Sequence, residues 1–155
     1  MTPRRWAGWG AAVVARSGFV GRKAHVARLR KLCGPAVERD IGKALFAGGE
    51  LIAVEAQIGI TTGAVSGAGH VAGPVGGYPN QDTGVLAGNI ETNQIEQLIV
   101  EVSSNAPYST ALHDGDSSRG GRPFMKLARD ARRGDVAQLV YKALNASVRK
   151  SRSPD

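Results

Sequence analysis

The chain has 155 residues, enough for one domain with a real core, and its single cysteine, Cys33, excludes an internal disulfide and suits a reducing cytoplasm. Aromatics make up 5% of the residues while glycine occurs 21 times, so the core must be built from Val, Ile, Leu and Ala. The net charge of +7 is segregated: residues 1–34 hold eight Lys/Arg and no acid, residues 35–118 hold two bases against ten acids, and residues 119–155 hold ten bases against three acids. Basic ends around an acidic middle suit nucleic acid, or copies that meet basic face to acidic face.

In chain order, Arg16 interrupts the apolar start, so residues 1–20 read as a flexible arm rather than a signal peptide. Arg22 to Leu32 places Val26, Leu29 and Leu32 at helical spacing among Arg and Lys, which predicts a short amphipathic helix. Gly34-Pro35 ends it, and Pro35 suits the first position of the next helix. From Ala36 to about Ile58, the residues Val37, Ile41, Leu45, Leu51, Ile52 and Ile58 mark a long second helix. Its Gly42, Gly48 and Gly49 each cost about 1 kcal/mol relative to Ala, and permit either a close neighbour or a kink. No run of about 18 apolar residues stands out, so no membrane span is expected.

Thr61 to Gln81 is a Gly-rich loop without hydrophobic period, too long for a simple connection. Loops of this kind are functional or order against partners, which singles out its His70 and Tyr78. Asp82 and Thr83 are expected to cap a short helix through Ala87. Ile90 to Asn93 and Gln97 to Ser103 read as two strands, with Leu98, Val100 and Val102 alternating with Ile99 and Glu101. Pro107 to His113 is a helical turn closed by Asp114-Gly115-Asp116, and Ser117 to Gly121 is a loop. Pro123 opens a last helix bearing Phe124, Leu127, Ala128, Ala131, Leu139, Val140, Ala143, Leu144 and Val148, with a kink expected at Gly134. The class is α+β: long helices packed on a small antiparallel sheet, with a long Gly-rich loop. Residues 21–148 form one domain, and residues 149–155 are expected to be a flexible basic tail.

Candidate chemistry is thin. The glycines of residues 67–73 have the wrong spacing for a dinucleotide fingerprint, and no GxxxxGK[ST] is present. His25, His70, His113 and Cys33 show no paired metal spacing, so no metal or other cofactor is expected. Ser109, His113 and Asp114 are close in sequence, but triad members come from separate segments and no GxSxG elbow supports the serine. Arg133-Gly134-Asp135 reads as a kink or helix restart with Asp135 as cap. Glu91, Glu96 and Glu101 fall on the hairpin, where alternation exposes them. Tyr108 and Phe124, beside prolines at helix entries, are first core anchors and second interface anchors.

Three motifs point further: Asp82-Thr83-Gly84-Val85-Leu86, then Asn105-Ala106-Pro107-Tyr108-Ser109-Thr110-Ala111-Leu112, then Arg122-Pro123-Phe124-Met125. Their order and separation resemble the neck, or tail-completion, proteins of long-tailed bacteriophages, prophages and gene transfer agents, over roughly residues 21–148. Where that family often has an acidic-aromatic-Gly-Thr run, this chain has His113-Asp114-Gly115-Asp116. The resemblance implies a non-enzymatic virion protein, made in the bacterial cytoplasm and placed at the head–tail junction. It implies a homo-oligomeric ring, a hexamer, meeting the head-closure or connector proteins and the tail-terminator or tail-tube proteins, with non-specific contact to genomic DNA and none to a membrane. Tyr108, Arg122, Phe124, His70, Tyr78 and Asp114 are the interface candidates. The rival reading is a basic nucleic-acid-binding module using the helix of residues 22–31 and the last helix.

Overall fold

Helix α1 (Arg22–Leu32) and helix α2 (Pro35–Thr61) are separated only by Cys33 and Gly34. Pro35 occupies the first turn of α2, where its missing N–H costs nothing. At the other end of α2 the hydroxyls of Thr61 and Thr62 donate to the carbonyls of Gln57 and Ile58 at 2.8 and 2.7 Å, and the Ile58 carbonyl also accepts the Thr62 N–H at 2.9 Å. The computed structural model describes residues 21–152. The arm assigned to residues 1–20 and the last three tail positions lie outside the described residues.

After α2 comes the Gly-rich loop, holding one 3-10 turn at Gly67–Gly69, then helix α3 (Val85–Gly88). Strands β1 (Ile90–Glu96) and β2 (Ile99–Ser104) form an antiparallel hairpin running from Ile90↔Ser104 to Glu96↔Ile99, with a bulge between Gln94 and Glu96. Helix α4 (Ser109–Asp114) and helix α5 (Phe124–Arg152) complete the chain. The class is α+β: long helices on a small antiparallel sheet.

Helices α2 and α5 run antiparallel, as three cross-contacts show: Asp40 with Lys150, Gly48 with Val136, and Glu55 with Arg132. The hairpin lies on another side of α2, with Gly49 against Thr92 and Val100 and Gly42 against the Gln97 carbonyl. The glycines of α2 therefore serve close approach rather than a kink. A Cβ at Gly48 would come to 2.8 Å from Val136, and one at Gly49 to 2.7 Å from Thr92. The large apolar positions picked from periodicity are not the buried stripe. Gly42, Gly48, Gly49, Ala53, Ala56 and Ile60 are buried, while Ile58 is 49% exposed. Small residues win the buried face because the two neighbours approach too closely for anything larger.

The core is concentrated at one end. Ala53, Ala56 and Ile60 of α2 meet Leu86, Ala87, Ile90, Ala106, and Phe124 and Ala128 of α5. Phe124 and Ile60 are its largest fully buried side chains. Elsewhere in the long helices the further buried residues are the three glycines of α2 and Ser147 of α5.

Three expectations are corrected. Helix α5 is uninterrupted through Gly134, where a Cβ would meet nothing within 4 Å, and Asp135 accepts a hydrogen bond from Arg132 instead of capping a new helix. The same helix reaches Arg152, through positions assigned to the basic tail, because the Lys150–Asp40 pair and the partly buried Ser151 hold its last turns. Helix α3 begins after Gly84 at φ 81° with no side-chain cap; Asp82 Oδ1 instead accepts the Gly67 N–H at 2.8 Å. The helical stretch Arg22–Thr61 contains an 18-residue window of mean hydropathy 1.3, which by length and composition alone is enough to cross a membrane. That hydropathy comes from the Ala, Gly and aliphatic residues of α2, whose Gly and Ala face packs against the hairpin and α5.

Candidate partner-docking pocket

At the core-bearing end the Gly-rich loop folds back over α2, α4 and the entry to α5. Gln81 N–H donates to the Ile60 carbonyl at 2.9 Å, Gly76 N–H to the Gly121 carbonyl at 2.9 Å, and Asn80 Nδ2 to the Val71 carbonyl at 2.8 Å. Arg122 Nε reaches the carbonyl of buried Gly73 at 2.6 Å, a charge-assisted bond that ties the loop to the residue just before α5. Tyr78 lies flat against Gly59, where any Cβ would collide with its ring. A loop that looks structureless in sequence is thus pinned at five points.

Between loop and helices opens a pocket of about 370 Å³. Its wall includes His70, Gly73 and Asn80 of the loop, Asp82, Thr83 and Gly84, then Tyr108 and Leu112, and Arg122. His70 Nδ1 lies 3.1 Å from the Val65 carbonyl, which accepts the Nδ1 proton. Tyr108 is 44% exposed. The pocket therefore offers an aromatic edge, apolar walls and a guanidinium already partly committed to backbone.

The six candidate residues separate accordingly. His70, Tyr108 and Arg122 share the pocket. Tyr78 stands outside its wall, on α2, where burial first and Glu55 second raise its pKa above 10.0 while Arg132 opposes them. Phe124 is 1% exposed and has no surface to offer a partner; its ring meets His113 edge-on at 5.5 Å. That removes it from the interface set, because the turn before α5 points it into the core. Asp114 is exposed on the opposite side of α4, where it pairs with His113 at 2.8 Å beside a second hollow of about 280 Å³.

The Ser109–His113–Asp114 grouping is not assembled as a triad. Ser109 is buried and donates its hydroxyl to the Ser104 carbonyl at 3.2 Å, tying α4 to the end of β2. Asp116 closes the following loop by accepting from the N–H groups of Ser118 and Arg119 and from the Ser118 hydroxyl. Those bonds, led by the Ser118 hydroxyl, hold its carboxyl below the ordinary value of 3.8. Among the described residues no three His, Cys, Asp or Glu side chains gather as a cation would require.

The sequence reading did not mark Asn80 or Gly73, which help build the pocket. Asn80 beside Pro79 carried only a turn signal. Nor did it foresee the strut of Arg132 between Glu55 at 2.7 Å and Asp135 at 3.1 Å. No family model, curated protein or solved structure matches the chain.

Proposed function

We propose that this chain is a non-enzymatic structural protein of a phage or phage-like head–tail junction, one copy of a ring that joins or completes the tail around a DNA channel. One observation carries the reading. The three motifs behind the resemblance, separated by 18 and then 9 residues of chain, supply neighbouring parts of a single pocket wall through Asp82, Tyr108 and Arg122. Motifs that serve only local turns have no reason to converge on one surface hollow.

The pocket suits a short segment of a neighbouring copy better than a reaction. Several of its polar groups are occupied by backbone, and its wall carries the exposed aromatic side chain of Tyr108, at 44%. A heterologous contact of this sort closes a ring when the rotation between copies allows it. Electron microscopy of particles carrying a tagged copy tests the proposal: label at the head–tail junction supports it, and label elsewhere or absent from particles sinks it. In solution, Tyr108→Ala is expected to lower the ring fraction in sedimentation without lowering Tm, since an exposed tyrosine contributes little to the fold.

A further inference from the structure

The antiparallel pairing of α2 and α5 has an electrostatic result. It brings the two basic segments of the sequence to the same end of the molecule. Residues 22–43 carry seven Lys/Arg against two acids, and residues 142–152 carry four Lys/Arg and no acid, whereas residues 44–141 carry six bases against ten acids. Helix α1 packs on α5, and the two meet the start of α2 around a cleft of about 610 Å³ lined by Arg30, Arg39 and Lys150 among others.

Few acids offset this charge. Asp40 is engaged by Lys150 at 3.0 Å, which lowers its pKa from 3.8, and Glu38 is the other acid of residues 22–43. Like charges crowded in this way repel, and the fold tolerates the cost at a place where it has little core to offset it.

We infer that this end is a binding surface for the phosphate backbone of duplex nucleic acid. Protein-binding patches are depleted of charge and enriched in aromatics at their centres. Residues 22–43 and 142–152 are dense in charge and contain no Trp, Tyr or Phe themselves, while exposed Val26 and Leu29 lie on α1 and exposed Phe46 and Tyr141 flank the two segments. A duplex carries roughly one phosphate charge per 1.7 Å of its axis, a dense array for such a face to meet. Six of the eleven bases are arginine, whose fork matches a phosphate. With one Asn and no Gln in these segments, the surface reads charge rather than sequence. The inference stands on charge placement alone and does not depend on the ring.

Fluorescence anisotropy with labelled duplex DNA and duplex RNA of unrelated sequences, across a salt series, tests it on the full chain. Both duplexes are expected to bind, with affinity falling steeply as salt rises. The exposed triple variant Arg22→Gln, Arg30→Gln, Arg149→Gln is expected to lower low-salt affinity at least roughly tenfold and to reduce the log–log salt slope by about one per arginine. Arg119→Gln with Lys126→Gln, at the other end of α5, is expected to leave affinity within about twofold. Absent binding at low salt, a triple variant equal to the parent, or an equal loss in the far-end variant overturns the assignment. Equally tight binding to phosphatidylserine vesicles overturns it as well. So does a triple variant that loses salt-sensitive self-association while keeping its duplex affinity, which gives the surface to an acidic face of a second copy.

Discussion

The two ends of the α2/α5 pair are built on different principles. At the loop end, Phe124 and Ile60 anchor a core that also includes Leu86, Ile90 and a set of alanines, and backbone hydrogen bonds tie the Gly-rich loop to it. At the basic end, α1 buries no residue and Lys150 of α5 pairs with Asp40 of α2 on side chains 73% and 36% exposed. One end is specified by shape and the other by charge. Shape complementarity fixes a single geometry because close-packed groups have few alternatives. Exposed charges are screened and tolerate rearrangement, so that end is suited to an interaction whose partner is itself a diffuse charge.

Mutations that attack each end separate these principles. The largest effect is expected for Phe124→Ala, which empties a fully buried site and should cost about 3–5 kcal/mol, read as a large fall in denaturation midpoint. Next comes Gly49→Val. Its side chain has to displace Thr92 and Val100 of the hairpin, a cost of about 1–3 kcal/mol in the same unfolding measurement. Arg122→Ala is expected to cost about 1–2 kcal/mol, low in the range for a charged donor because the side chain is part-exposed. Hydrogen exchange should then accelerate selectively in residues 70–77, since Gly73 loses its tie; uniform acceleration would place Arg122 in the general core instead.

Two smaller effects depend on pH, with opposite signs. Tyr78 has its pKa raised above 10.0, chiefly by burial. Its contribution to stability is complete below pH 10.0 and is lost as pH rises through the folded value. Ultraviolet titration should show one late tyrosine phase that Tyr78→Phe removes. Asp40 has its pKa lowered below 3.8 by Lys150. Its contribution is present above pH 3.8 and is lost only as pH falls through the folded value. Because both partners are exposed, Asp40→Asn should leave Tm at neutral pH unchanged within error, most clearly in high salt. A marked fall in Tm would mean that the basic end is held more firmly than its packing indicates.

The elements were largely legible in the sequence because their punctuation is chemical. Gly34-Pro35 divides α1 from α2, and Pro123 stands immediately before α5. The hairpin followed from Val100 and Val102 alternating with Glu101, and those valines do face α2. Burial within the long helices was misread, since periodicity seeks large apolar residues and the interior face of α2 is Gly and Ala. The candidate site was legible in part. Tyr108, Arg122 and His70 were marked individually, but nothing in one dimension says that they share a wall. Phe124 was marked with them, and its direction depends on how Arg122-Pro123 turns into α5.

By itself the sequence determined which helices and strands form and in what order, though not all of their ends, and that the charge is segregated, because these depend on local propensity and on composition. The tertiary structure alone decided two matters. It decided that a loop rich in glycine is fastened by Asp82, Arg122 and Gly59, and that the two basic segments stand together at one end rather than at opposite poles. The reason is the same for both. Loop closure and helix pairing join residues far apart in sequence, and their geometry is set by which surfaces fit at close range, as at Gly48 and Gly49, where a missing side chain determines how near the partners come.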